Sequence, residues 1–146
     1  MADVGVLATV ASIIAAFGST MLVFRIQREL YMHDQKEVQS VPWADRLLIL
    51  ATLVCLGLVV LPLIACTNRP GLLTELPRAA CAAAVLMVAG YIFALLGHYR
   101  LLFGGSRTGP RANPEPAEKW VVIVTLLLAV VLFAAILFRY PAPAQL

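Results

Sequence analysis

The sequence predicts an all-α fold, a polytopic membrane protein whose four transmembrane helices form a bundle, with a cytoplasmic extension of helix one. Composition is the first reason. Of 146 residues, 62% are hydrophobic and 13% are charged, about half the charged share of a soluble domain. A fold this small leaves much of its surface facing its solvent, so that much apolar surface does not suit water. The second reason is that the apolar residues are concentrated in four runs, at about 4–24, 47–66, 79–99 and 120–138, and none of these runs contains Asp, Glu, Lys or Arg. About 20 apolar residues at 1.5 Å per residue cover the roughly 30 Å hydrocarbon slab, so each run qualifies as a span. The third reason is the absence of strand-type alternation: an open sheet cannot cross a bilayer, which leaves helices.

The first run carries Asp3 and no Lys or Arg ahead of it, and ends in Arg25 and Arg28 rather than in a small-residue cleavage site. It reads as a retained helix and not as a signal peptide. No Gly or Pro interrupts Arg25 to Glu37, and Arg25 and Glu29 stand at i,i+4 spacing. The helix is therefore expected to run on for about three turns into the cytosol, in a segment of extension and linker at 25–46. Pro42 closes that extension, because the residue before a proline is pushed out of the α region. Trp43-Ala44-Asp45-Arg46 then starts helix two, with Pro62 one turn from its end, where a missing N–H should kink or loosen the last turn.

Between spans two and three, residues 67–78 hold Asn68-Arg69-Pro70-Gly71, the signal of a short outer hairpin. Residues 100–119 are rich in Gly and Pro and read as a flexible cytoplasmic loop. Helix four, with Leu126-Leu127-Leu128 and Val130-Val131-Leu132-Phe133, is nearly all bulky and is expected at the lipid-exposed edge, with helices one and three central.

Charge gives the chain a direction. Eight of the eleven basic residues fall in the segments after spans one and three, which the positive-inside rule places in the cytoplasm with both termini outside. Trp43 and Trp120 stand where helices two and four enter the membrane, Tyr140 where helix four leaves it, and Arg25 and Arg28 where helix one ends. All five read as interface anchors, since amphipathic rings and snorkelling cations favour headgroup depth. Arginine outnumbers lysine nine to two in an Ala-, Leu- and Val-rich chain, which points to a bacterial cytoplasmic membrane.

The best-patterned candidates for function are two faces of small residues. Ala8, Ser12, Ala15 and Ser19 on helix one, and Ala79, Ala83, Gly90, Ala94 and Gly97 on helix three, each fall within an arc of about 60°. Small residues let helix backbones approach closely, and packing drives association in lipid. Either the two faces pack helix one on helix three, or one of them receives another protein or another copy of this chain.

Catalytic and cofactor chemistry finds little support. Proton- or ion-coupled carriers need an ionisable group at mid-depth, and four-helix proton-coupled drug exporters depend on a membrane-embedded Glu that these spans lack. His33 and His98 differ in depth, which does not suit haem ligation. Cys55 reads as a small core residue. Cys66 and Cys81 flank the outer hairpin, close enough for a bond to be conceivable, but no second pair supports a disulfide framework. No cofactor, metal or catalytic residue is assigned, and a net charge of +3 is too small to imply nucleic acid. The expected function is non-enzymatic: an accessory subunit or scaffold acting through helix association and cytoplasmic loops, with the bilayer and another membrane protein, or itself, as partners. The alternative is an oligomeric transporter or pore without an intramembrane charged coupling residue.

Overall fold

In the computed structural model, four helices account for the segments the structure describes, residues 4–34, 43–65, 75–98 and 116–139. They are α1 (Val4–Asp34), α2 (Ala44–Ala65), α3 (Glu75–His98) and α4 (Pro116–Arg139). All four are long and apolar enough to cross a membrane, and no strand occurs among the described residues. The chain is a multi-pass bundle of four membrane helices. Residues 67–74 of the hairpin expected at 67–78 and residues 100–115 of the loop expected at 100–119 lie outside the described residues, as do Cys66 and Tyr140, while residues 75–78 belong to α3.

Helices α2, α3 and α4 begin earlier than their apolar runs do. Pro116 opens α4 at a first-turn position where its missing N–H costs nothing, and Glu118 lies in the same turn. Residues 116–119, expected in the flexible loop, therefore belong to the helix. Likewise α2 starts at Ala44, with Asp45 in its first turn, and α3 starts at Glu75. Acidic residues suit these positions because the helix dipole places partial positive charge there. At its other end α1 continues without a break past Arg25 to Asp34.

Near its far end α2 changes winding. Leu56–Val60 form one π-helical turn, after which Leu61–Ala65 return to α geometry. Pro62 offers no N–H to the carbonyl four residues earlier, and its ring crowds that carbonyl. A widened turn just upstream accommodates both effects and leaves the helix continuous. The disturbance expected at Pro62 thus takes the form of a π turn on its N-terminal side.

The centre of the bundle is α3. Half of its span is buried, against 33% for α2 and 17% each for α1 and α4. Its most extensive interface is with α4, its next with α2, and only a small one with α1, which packs chiefly on α2. Helix one is therefore peripheral, like helix four, and not a second central element. The reason lies in which small residues meet what. Ala79, Ala83, Gly90, Ala94 and Gly97 are all buried. Two of them locate the neighbour: a Cβ on Gly90 would lie 2.8 Å from Thr125 Cβ, and one on Gly97 would lie 3.6 Å from the Glu118 backbone nitrogen, both on α4. A second buried line on α3, Ala80, Ala84, Met87 and Tyr91, lies about a quarter-turn away. With two slim sides, α3 admits two close neighbours.

On α1 the buried line is Leu7, Ala11, Ile14 and Gly18. Gly18 has a specific reason to face inward, since any Cβ there would overlap the Thr52 hydroxyl of α2. That requirement fixes the rotation of α1 and carries its small-residue face to the side.

Candidate functional site

Two regions collect the residues that sequence reasoning singled out. The first is the end of the bundle where α2 and α4 begin, α3 finishes and α1 passes on toward Asp34. Here Glu118 is fully buried, and its Oε1 accepts a hydrogen bond of 2.8 Å from the backbone N–H of Ala44. Trp43, at the N-cap of α2, supplies no side-chain cap. The carboxylate from α4 does so instead, satisfying one of the donors that a helix start leaves without an intrahelical partner. Arg25 of α1 donates from Nε to Asp45 Oδ1 of α2 at 3.1 Å, with side chains only 18% and 14% exposed. The Nη2 of Arg25 is closed off from solvent and has no acceptor among the described residues. Three helices are thus tied together at one level by two carboxylates.

Trp43 is the hub of the outer side of this end. The Arg46 guanidinium lies 4.2 Å from the centre of its indole ring and the Lys119 ammonium 5.3 Å, both within cation–π range. Trp43 is half-buried, whereas Trp120 is exposed and borders an open apolar groove of about 320 Å³ with Phe93, Val121, Val124 and Thr125. The two tryptophans thus occupy different settings, one packed between helices and cations and one projecting outward. Arg25, expected as a headgroup anchor, turns its Nε to Asp45. The side chain of Arg28 and all of Tyr140 lie outside the described residues.

The second region is the outward side of α1. Of the predicted face, Ala8 and Ala15 are half-buried and Ser12 and Ser19 are exposed. The structure does not bring this face against Ala79, Ala83, Gly90, Ala94 and Gly97. Instead Gly5, Thr9, Ser12, Ala16, Ser19 and Thr20 form a contiguous exposed strip of small side chains. The bulky Val6, Ile13 and Phe17 lie beside it, also exposed. Thr9, Ser12 and Thr20 each donate their hydroxyl to the carbonyl four residues earlier, at 2.8 Å. The strip is therefore small in shape, and three of its four hydroxyls already donate within the helix. An open groove of about 240 Å³ between α1 and α3, lined by Val10, Ile13, Ile14, Val85 and Val88, marks where these helices diverge.

Cys55 and Cys81 are buried free thiols, and the Cys81 S–H points to the Leu7 carbonyl at 3.6 Å. No three His, Cys, Asp or Glu side chains converge among the described residues. Sequence reasoning missed Asp45 and Glu118 because both lie outside the apolar runs. The only available signal was position, since each lies in the first turn of its helix, two residues after a proline in the case of Glu118.

No protein-family model matches this chain, and no curated protein or solved structure matches it either.

Proposed function

We propose that this protein is a non-enzymatic accessory or scaffold subunit of a membrane assembly, and that it offers the small-residue strip of α1 to a transmembrane helix of another membrane protein. The exposed strip of Gly5, Thr9, Ser12, Ala16, Ser19 and Thr20 carries the reading. In lipid, helices associate where small side chains let backbones close on one another. Because three of the hydroxyls already donate to their own helix, covering the strip strands none of those donors. The rest of the bundle supports a scaffold more than a pump. Its ionisable contacts gather at the Trp43 end and, with Glu75 and Arg78, at the opposite end, and the spans hold no charge at mid-depth.

The Trp43 end is placed on the cytoplasmic side, with both termini outside, in a bacterial cytoplasmic membrane. The basic segments after spans one and three and the Arg-rich composition support this placement. The helical continuation of α1 to Asp34 then offers a cytoplasmic contact for the same assembly.

Crosslinking in native membranes followed by mild extraction tests the proposal. The expected result is a discrete complex with another membrane protein, lost in Ser12→Leu/Ala16→Leu while helix content and melting temperature are retained. A chain that runs alone, or a complex indifferent to the double substitution, would overturn it. A homo-oligomer with a water-accessible central path would support the pore reading instead.

A further inference from the structure

We infer that Arg46 and Lys119, gathered on the Trp43 ring, form a binding site for the phosphate group of an anionic phospholipid. The inference rests on the spans crossing a bilayer and is independent of what docks on α1. Both cations are exposed, and each stands in the first turn of its helix, immediately before the long apolar stretch of α2 or α4. That is the depth of the headgroups. Their distances to one indole place them within about 10 Å of each other, close enough for one phosphodiester beside the ring to be attracted by both charges.

The two acids described at this end are directed elsewhere. Asp45 is engaged by Arg25, and Glu118 is buried with its Oε1 on the Ala44 N–H. Among the described residues neither Arg46 nor Lys119 has a carboxylate within ion-pair distance. Two like charges are thus held near each other by one aromatic ring, an arrangement that an anion close to both relieves. The starts of α2 and α4 point their amide dipoles toward the same end and add to its positive potential. A soluble phosphate has the same chemistry, but the position of both cations at the edge of the apolar slab selects the lipid-borne group.

The test uses the full chain with Trp120→Phe, so that Trp43 is the single indole reporter, in phosphatidylcholine nanodiscs. Brominated phosphatidylglycerol is expected to quench Trp43 more than brominated phosphatidylcholine at the same mole fraction. Arg46→Gln/Lys119→Gln should reduce that preference on the order of tenfold, and Arg46→Lys should largely keep it. Unchanged quenching by brominated phosphatidylcholine in the double variant shows that the indole remains at the same depth and the protein remains inserted. Equal quenching by the two lipids, or a preference surviving the double substitution, would overturn the inference. So would loss of the preference on adding inorganic phosphate but not chloride at equal ionic strength, since the site would then be one for a soluble anion.

Discussion

Substituting Glu118 separates its acceptor role from its charge. Glu118→Gln retains an oxygen for the Ala44 N–H and should cost little, whereas Glu118→Leu leaves a buried donor without a partner. The expected loss for the leucine variant is about 1–3 kcal/mol, read by denaturant titration in mixed micelles. Equal stability of the two variants would show that the hydrogen bond does not matter. Three glycines form a second comparison. Gly90→Ala drives a methyl group into Thr125, and Gly18→Ala drives one into Thr52, whereas a Cβ on Gly57 meets nothing within 4 Å. Overpacking should cost the first two about 1–3 kcal/mol, and Gly57→Ala should be neutral or stabilising. Thr125→Ala removes the two atoms closest to the Gly90 position and leaves only its Cβ, at 2.8 Å. It should therefore rescue Gly90→Ala in part, and a double-mutant cycle measures the coupling.

At the scale of the element, Pro62 and the π turn at Leu56–Val60 belong together. Pro62→Ala restores a donor for the upstream carbonyl and removes the ring, so the five residues should revert to α winding. Slower amide exchange across 56–62 would register the change, and unchanged exchange would locate the cause of the π turn elsewhere. The helices themselves were legible in the sequence because lipid demands long, uninterrupted apolar runs with every backbone group bonded inside the segment. The starts of α3 and α4 were not. Pro116 and Glu118 of α4 and Glu75 of α3 are helical residues outside the apolar runs, and hydropathy is blind to a first turn whose role is electrostatic. The start of α2 at Trp43-Ala44-Asp45-Arg46, just after Pro42, was read from the sequence. The small-residue faces were legible as patterns, and on α3 all five members are buried. What the pattern lacked was the partner: Gly90 and Gly97 meet α4, while Ser12 and Ser19 of α1 remain outside the interface.

For the whole molecule, the assignment of the Trp43 end to the cytoplasm gives a direct prediction. Reporter fusions after Leu146 should be active outside and those inserted at Arg107 active inside, and a cytoplasmic carboxy terminus would overturn the orientation. The sequence alone determined that this is a membrane bundle of four helices, because 62% apolar content concentrated in four charge-free runs has no other stable arrangement. Which helix lies at the centre was decided only by tertiary structure. In lipid there is no hydrophobic force to rank the helices, so the order follows from fit between side chains. Thr52 takes the place that Gly18 leaves open, Thr125 rests on Gly90, and Glu118 reaches across to the start of α2. Those fits rotate α1 so that its small residues face outward, set α3 between α2 and α4, and bring Arg46 and Lys119 onto one ring.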